Sequence, residues 1–394
     1  MLDQDLIRQR LRQRARELVP VLRERAADAA RQGQLPEETI RDFHEAGFFR
    51  ILQPARWEGY ELEPKDFFEV QMTLAEGCMS SAWVLGVVAI HNWQLALFDD
   101  RAAQDVWGKD SSVLISSSYM PVGKVTPVEG GFRLSGRWGF SSGSKHCQWA
   151  FLGAMVPPSE PGGAPDYRTF LVPRSDYQIL DNWNVMGLEA TGSHDVLVED
   201  AFVPDYRTHR ALDGFMQNSP GNAVNTAPLF RLPFGQIFVR AVSSSAIGAL
   251  QGAVNLFVEH NRARVGVNDG RKMGQDPGAQ QALADAMVCA DECSTLLLRN
   301  FDLMMQRARD GEPLTMPERV KMRYDSALVA DKCARAVAAL MFNSGASTIF
   351  REHPINRAFR DIHTGRAHVA NSPAKYAWNL GGVSMGADST DFFL

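Results

Sequence analysis

The chain has 394 residues, 45% of them hydrophobic and 22% charged, with a formal net charge of −5. This length is enough for two or three domains, and the charge gives no general attraction to nucleic acid or to anionic membranes. The apolar run 82–90 is too short for a membrane span, and residues 1–19 lack the apolar core of a secretory signal. We therefore expect a cytoplasmic globular protein with no nucleic-acid or membrane partner.

Helical patterns dominate the first part of the chain. Ile7, Leu11 and Leu18 recur at helical spacing, and a second helix is expected between Pro36 and Gly47. Residues 82–98 form a third helical stretch that is apolar on nearly all sides, which predicts a buried helix. These patterns predict an N-terminal helical domain over residues 1–112.

The pattern changes to short extended segments from about residue 113. Glu129-Gly130-Gly131 predicts a turn between strands 124–128 and 132–140, and further strands are expected at 150–156, 167–172 and 195–198. Several strands at this spacing are typical of a small β-barrel or sandwich. We therefore predict a central β domain over residues 113–215.

One stretch of this β region, RLSGRWGFSSGSKH at 133–146, changes character halfway. Leu134, Trp138 and Phe140 are expected on one face of a strand, which then ends in small hydroxylated residues and glycine. A strand end without large side chains often allows a ligand to approach the backbone. The pattern therefore indicates a candidate binding position at 141–144.

Helical spacing returns in the last part of the chain. Long helices are expected at 246–260, 279–308 and 319–343, which are typical of a helical bundle. We predict a C-terminal four-helix-bundle domain over residues 216–394. The expected fold is thus α+β and multidomain, in the order helices, β domain, helical bundle.

The sequence contains no familiar metal or nucleotide motif. No HExxH, paired CxxC, phosphate-binding loop or dinucleotide fingerprint is present. Cys289 and Cys293 are one helical turn apart, but no further His or Cys follows them closely. We therefore expect no metal site, and interpret this pair as two small residues on one helix face.

Several polar residues occur in unusual places. His91 stands in a mostly apolar helix, Ser116–Ser118 open the β region, Ser141 and Ser142 end a strand, and His368 lies near the end of the last long helix. Each feature alone is more typical of a hydrogen-bonded core residue, a turn or a helix cap. Together they mark three strand or helix ends that can converge in one site.

The order of elements resembles that of acyl-CoA dehydrogenases. More specifically, the chain resembles the oxygenase components of two-component aromatic hydroxylases, including the 4-hydroxyphenylacetate type and the type that acts on a phenolic secosteroid in steroid degradation. The stretches that carry the resemblance are GFFRILQPARWEGYE, HNWQLALFDDRAAQDVWG, ISSSYMPVGKV, WGFSSGSKH and FRDIHTGRAHVAN. They run in the same order from about residue 35 to residue 372.

The resemblance implies an acyl-CoA dehydrogenase-like fold and a reduced-flavin-dependent aromatic monooxygenase. Reduced flavin (FADH2 or FMNH2) would come from a separate NAD(P)H:flavin reductase, react with O2 to a C4a-hydroperoxyflavin, and hydroxylate a phenolic or indole-type ring. The family also implies a homotetramer packed through the C-terminal bundle and a place in aromatic catabolism.

The cofactor residues follow from the same resemblance. Ser142 would hydrogen-bond flavin N5, with Gly143 beside it, and His368 would lie next to the peroxide. The basic pair Arg262 and Arg264 matches residues that bind the flavin phosphate.

The resemblance also assigns the substrate residues. His91 and Ser117 would hold a substrate hydroxyl and favour its ionised form, with Trp83 as a further substrate contact. Two departures concern the substrate: Lys145 and Ser372 stand where close relatives carry Asp. An indole-type substrate, which is nucleophilic without ionising, therefore stays open beside a phenol.

Two other functions compete with the monooxygenase. An acyl-CoA dehydrogenase needs a carboxylate base, commonly a Glu soon after an Arg-Asp pair near the C-terminal end. Arg360-Asp361 is present, but no Glu follows Glu352, and we expect Asp361 to pair locally with Arg360. A non-enzymatic, flavin-free member of the superfamily is the third hypothesis, and the retained serines and histidines disfavour it.

Overall fold

The computed structural model describes residues 4–158, 160, 163, 166–266, 270, 272–391 and 393–394. Its N-terminal part is helical, with α1 Gln4–Gln32, α2 Glu37–Ala46, α3 Pro64–Ala75, α4 Met79–Leu95 and α5 Asp100–Trp107. Helix α2 begins after Pro36 and ends at Gly47, whose φ of 81° lets its N–H reach the carbonyls of the last turn. The prediction that this helix lies between Pro36 and Gly47 is confirmed.

Helix α4 lies at the centre of the molecule. All of its residues are buried, as its apolar sequence predicts. Its polar side chains are anchored to neighbouring elements: the Asn92 amide donates to the Phe49 carbonyl at 2.8 Å, and the Trp93 indole donates to the Leu229 carbonyl at 3.0 Å. Buried polar groups need such partners, so these bonds fix the position and rotation of the helix that carries Trp83 and His91.

The middle of the chain forms one mixed seven-stranded sheet. The strands are β1 Ile115–Val128, β2 Gly131–Ser141, β3 Trp149–Val156, β4 Asp166–Pro173, β5 Gln178–Leu180, β6 His194–Pro204 and β7 Thr208–Arg210. They are ordered β5-β6-β2-β1-β3-β4-β7, with β1 antiparallel to β2 and parallel to β3. The two halves curl around a common core, in which the rings of Phe132 and Phe170 meet at 5.5 Å. The predicted turn at Glu129-Gly130 is confirmed, and Gly130 has a φ of +75°.

The end of β2 differs from the sequence-based expectation. Leu134 and Trp138 are fully buried, but Phe140 is 67% exposed and has a φ of +65°. The pairing of β2 with β6 shifts register between Trp138 and Ser141, and such a bulge turns the next side chain away from its expected face. The prediction that Phe140 shares the buried face is therefore wrong; its ring contacts Trp183 edge-on at 6.2 Å.

Helices return after the sheet. They are α6 Ala211–Phe215, α7 Phe234–Ala241, α8 Ser244–Asn261, α9 Pro277–Asp310, α10 Met316–Phe342, α11 Pro354–Arg366 and α12 Pro373–Ser384. Helix α10 begins with a capping box in which Thr315 and Glu318 satisfy each other's backbone N–H groups. The elements change from helix to strand between Trp107 and Ile115 and back at Ala211. The domain limits at 112/113 and 215/216 stay predictions.

Among the residues that the structure describes, one stretch, Phe234–Asn261, is long and apolar enough to cross a membrane by composition. It comprises α7 and α8, and 78% of its most apolar window is buried inside the protein. Its apolar character therefore has an explanation in the core, where α8 packs against α3, α9, α10 and α11.

Candidate functional site

His91 lies on α4 and is fully buried. Its Nδ1–H donates to the carbonyl of Ile115 at 2.5 Å, and its Nε2 has no partner within the described part of the chain. Because a carbonyl only accepts, the proton of the neutral ring is on Nδ1 and Nε2 carries a lone pair. Burial lowers the pKa of His91 to about 4. The ring is therefore neutral near pH 7 and presents an unused hydrogen-bond acceptor.

Ser117 lies on β1 close to this ring. Tyr119 stands two residues later on the same strand and donates its hydroxyl to Gln94, and Phe151 is the register partner of Ser117 on β3. The His91 ring contacts both of these neighbours, at 6.2 Å from Tyr119 and 5.6 Å from Phe151. The strand position of Ser117 is thus next to two rings that contact His91. The role of Ser117 and His91 toward a substrate stays a prediction.

Ser142 directly follows β2 and is buried within a chain of hydroxyl groups. The Trp83 indole N–H donates to Ser142 Oγ at 3.2 Å, and Ser142 Oγ lies 2.7 Å from Ser193 Oγ. Ser193 Oγ lies 2.7 Å from Thr191 Oγ1, which donates to the Leu188 carbonyl at 2.9 Å. This relay joins the end of β2 to α4 and to the segment before β6.

The direction of the relay follows from proton counting. The Leu188 carbonyl can only accept, so the single hydroxyl proton of Thr191 is used there. Ser193 must then donate to Thr191, and Ser142 must donate to Ser193. Ser142 also accepts from Trp83, whose indole only donates. Its hydroxyl is left with one lone pair, so Ser142 presents a hydrogen-bond acceptor to any ligand at this position.

The residue after Ser142 is small for a steric reason. Gly143 has a φ of +68°, and a Cβ atom there would lie 2.9 Å from Val84 Cγ1. Its N–H donates to the Thr191 carbonyl at 2.9 Å. The strand end predicted to approach a ligand is thus held against α4 by close backbone packing, which a side chain would disrupt.

His368 follows α11 and also has a defined tautomer. Its Nδ1 accepts from the backbone N–H of Ala370 at 3.1 Å, so the proton of the neutral ring is on Nε2. Burial, and next the positive charge of Arg323, lower the pKa of His368 to about 4. The ring is therefore a neutral hydrogen-bond donor near pH 7, with the opposite polarity to His91.

Aromatic contacts connect the predicted residues into one wall. The His368 ring lies 5.9 Å from Trp83, which bonds Ser142, and 6.4 Å from Phe238 of α7. Phe238 contacts Tyr119 at 4.8 Å, and Tyr119 contacts His91. We call this continuous set the aromatic wall; its members are Trp83, His368, Phe238, Tyr119 and His91. The wall therefore joins residues from α4, β1, α7 and the segment after α11. Whether it forms the predicted site stays a prediction.

Arg262 and Arg264 lie apart from this wall. They follow α8, where the Arg264 guanidinium donates to Asn261 at 3.0 Å and lies against Gly345. Arg262 is exposed and Arg264 half-buried. Their assignment to the flavin phosphate stays a prediction.

Asp361 does not pair with Arg360 as expected. Arg360 donates to Glu189 at 2.7 Å and to the Met186 carbonyl, whereas Asp361 accepts from the backbone N–H of Leu188 at 2.6 Å. Burial raises the pKa of Asp361 to about 6. This carboxyl group holds the segment before β6 to α11, and its local pairing with Arg360 was wrongly predicted because the fold offers Arg360 a better partner.

The two departures from the family pattern lie at the surface. The exposed Lys145 donates to Asp181 at 3.2 Å. Ser372 is exposed at the start of α12. Neither is a member of the aromatic wall.

The sequence interpretation missed Tyr119, Phe238 and the pair Thr191 and Ser193. Tyr119 is two residues after Ser117 and therefore on the same strand face. Thr191-Gly192-Ser193 has the same small, hydroxylated composition as the end of β2 and stands directly before β6. That composition was the available signal for the relay; Phe238 had none, because it resembles any core residue of a buried helix.

The sequence also suggested that Cys289 and Cys293 have no third partner. This expectation is wrong: Cys333 of α10 brings its sulfur to within 4.8 Å of both others. Helices α9 and α10 pack side by side, so a residue forty positions later in the chain completes the group.

Comparison with known proteins identifies two matching family domains. The family described as "Acyl-CoA dehydrogenase, N-terminal domain" matches residues 2–107, and "Acyl-CoA dehydrogenase, C-terminal domain" matches residues 241–373. Among individual proteins, the chain is 38% identical to "Flavin-dependent monooxygenase, oxygenase subunit HsaA" of Rhodococcus jostii, over 96% of this chain and 99% of that protein.

Two solved structures share the whole architecture. The crystal structure of 3-HSA hydroxylase from Rhodococcus sp. RHA1 superposes with a TM-score of 0.92 at 36% identity, covering 97% of this chain and 98% of that one. XiaF from Streptomyces sp., in complex with FADH2 and glycerol, superposes with a TM-score of 0.89 at 25% identity, covering 98% of each chain.

Proposed function

The chain belongs to the oxygenase subunits of flavin-dependent monooxygenases, which share the acyl-CoA dehydrogenase fold, and on this premise we propose that the aromatic wall and the hydroxyl relay direct the hydroxylation of a phenol. The protein is the oxygenase component: a separate reductase supplies reduced flavin, and O2 supplies the oxygen atom that is added to an aromatic ring. When bound, reduced flavin provides the two electrons that activate O2.

The observation that carries this proposal is the placement of two histidines of opposite polarity on one wall. His91 presents a lone pair at Nε2 and His368 presents a proton at Nε2. An aromatic ring stacked along the wall between Trp83 and Tyr119 would meet an acceptor at one end and a donor near Ser142 at the other. Apolar surroundings with a few convergent polar groups are typical of a small-molecule site.

His91 and Ser117 are suited to hold a phenolic oxygen. The unused lone pair of His91 Nε2 would accept a hydrogen bond from the phenol O–H, and the Ser117 hydroxyl would donate to the same oxygen. Ile115 keeps the Nδ1 proton in place, which fixes the acceptor in the way that an outer partner orients a catalytic histidine. A hydrogen bond from the phenol O–H to His91 makes the ring richer in electrons and more reactive toward an electrophilic oxygen atom.

Ser142 is suited to reduced flavin rather than oxidised flavin. The relay leaves its hydroxyl as an acceptor, and N5 carries a hydrogen only in reduced flavin. Gly143 supports this position indirectly, because its lack of a side chain lets the segment after β2 pack closely against Val84 of α4. Ser142 would therefore hold the N5 hydrogen in place, and Ser193 and Thr191 would be the positioning residues that set its direction.

His368 is suited to donate to the activated oxygen. Its Nε2–H is the only proton of a ring whose lowered pKa keeps it neutral near pH 7. A neutral donor can hydrogen-bond an oxygen atom without a full proton transfer. Trp83, between His368 and Ser142, would form the apolar side of this end of the site.

The remaining parts of the proposal concern the assembly and the compartment. Arg262 and Arg264 would bind the flavin phosphates, and FADH2, present in the XiaF complex, is the expected flavin. Large exposed apolar side chains are concentrated in the C-terminal helical part, namely Phe342, Ile349, Phe350, Val369 and Trp378, which supports a homotetramer packed through this region. The unpaired cysteines fit the reducing cytoplasm.

A substrate panel tests the proposed function. The purified protein is mixed with chemically reduced FAD, O2 and matched phenols or indoles, and products are scored by mass. We expect a gain of one oxygen atom with phenols that have an apolar substituent. Hydroxylation of indoles alone would contradict the phenolic assignment, and no oxygenated product with either class would contradict the function itself.

A further inference from the structure

Helices α9 and α10 carry a group of three cysteines outside the site described above. Cys289 and Cys293 are one turn apart on α9, so they share a face, and Cys333 projects from α10. The three sulfur atoms lie within 4.8 Å of one another. Cys289 is half-buried, whereas Cys293 and Cys333 are buried. None of these residues belongs to the aromatic wall or the relay.

Charged side chains surround this group. Lys332 and Arg335 flank Cys333 on α10, where they pair with Glu292 and Asp331. Metal ions bind the thiolate form, and binding releases the remaining thiol protons.

We propose that Cys289, Cys293 and Cys333 form a three-thiolate site for a soft d10 metal ion, with Zn2+ as the physiological candidate. Two ligands spaced four residues apart on one helix can share a metal ion, and the facing helix supplies the third. Zn–S bonds of about 2.3 Å require sulfur atoms roughly 3.8 Å apart, so small side-chain rotations would bring the thiols together. Three thiolates and Zn2+ carry one net negative charge.

The fold provides a path for the ion and a position for a fourth ligand. A cavity of ≈ 410 Å³ lies between α9 and α10, and Cys293 and Lys332 are among the residues that line it. Water can therefore occupy the open coordination position, as is common when protein ligands number three. A bound ion would cross-link α9 to α10, which are otherwise connected by the turn near Gly311.

The test is a titration of the full-length, metal-free protein with Cd2+ alone. The titration is then repeated with Zn2+ present as a competitor. We expect a thiolate-to-cadmium charge-transfer band that saturates at one ion per protomer. Cys289→Ser and Cys333→Ser should each weaken binding on the order of 100-fold or more, since even outer-shell substitutions cost 10–100-fold. Cys78→Ser, which replaces a buried cysteine elsewhere, should leave binding unchanged.

A second measurement keeps the proposal testable if a serine variant folds poorly. Zn2+ should protect the half-buried Cys289 of the unaltered protein from alkylation, and mass spectrometry of the peptides should locate the protection at this position. Equal alkylation with and without Zn2+ would overturn the proposal. So would a Cd2+ band that survives Cys333→Ser, or a disulfide between two of the three cysteines that forms in air and excludes the metal.

Discussion

Replacing Ser142 by alanine removes the hydroxyl at the centre of the relay. The variant loses the acceptor of the Trp83 indole N–H at 3.2 Å and the donor to Ser193 at 2.7 Å. A buried donor left without a partner costs about 1–3 kcal/mol, so we expect the free energy of unfolding to fall by about 2 kcal/mol. The fold persists, because alanine fills nearly the same space.

Ser142→Ala should also change the partition between hydroxylation and release of H2O2. Loss of one hydrogen bond of ~1 kcal/mol to bound reduced flavin changes a rate about five-fold. The activated oxygen should then be released as H2O2 about five times faster relative to hydroxylation. The assay measures product and H2O2 per NADH consumed, with a flavin reductase in excess.

Ser141→Ala is the matched control for this prediction. It makes the same chemical change at the neighbouring residue, but Ser141 Oγ is buried and has no partner in the described part of the chain. Removing an unsatisfied buried hydroxyl is nearly neutral. Equal H2O2 yields from Ser141→Ala and Ser142→Ala would refute the reasoning, and unchanged coupling in Ser193→Ala would refute the role of the relay.

Three further predictions concern the histidines and the turn. His91→Gln should hydroxylate a phenol on the order of 100-fold more slowly, while the rate of flavin oxidation by O2, followed by absorbance, stays the same. Burial lowers the pKa of His91, His209 and His368 to about 4. In the unfolded chain these rings take up a proton near pH ~6.5, so the free energy of unfolding falls as the pH falls from there toward 4. Asp361, with a pKa raised to about 6, acts in the opposite direction, and the melting temperature should still fall steeply over this range. Gly143→Ala should lower the melting temperature and weaken flavin binding, because of its positive φ and the 2.9 Å contact.

Each of these predictions has a contradicting result. Loss of flavin oxidation together with hydroxylation in His91→Gln would indicate a structural histidine. A melting temperature that stays constant from pH 6.5 to 4 would show that these rings are not held neutral by the fold. A Gly143→Ala variant with unchanged flavin affinity would show that the turn does not approach the cofactor.

Local patterns predicted the elements of this fold because their causes are local. Pro36 and Gly47 define a helix through backbone geometry that any helix shares, and Glu129-Gly130 define a turn in the same way. The direction of Phe140 could not be predicted, because a register shift between β2 and β6 decides which way its side chain faces. The third cysteine could not be predicted either, because only the packing of α9 on α10 brings Cys333 close to the other two.

The sequence indicated which residue types belong to the candidate site. It did not indicate which of them donate and which accept hydrogen bonds. His91, Ser117, Ser142 and His368 could be selected by resemblance. The fold places His91 and His368 in the aromatic wall and bonds Ser142 to its Trp83. Whether a histidine offers a lone pair or a proton depends on its backbone partner, which is Ile115 for one ring and Ala370 for the other. Such partners lie on other elements, so no reading of the local sequence gives them.

The most direct test of the monooxygenase assignment is the fate of 18O2. The protein should turn over only when NAD(P)H, a flavin reductase, free flavin and O2 are all present, and one 18O atom should appear in the aromatic product. No Glu follows Glu352, and Asp361 is tied to Leu188, so acyl-CoA thioesters should not reduce bound FAD. Reduction of FAD by such a thioester without O2, at a rate that matches turnover, would contradict the account.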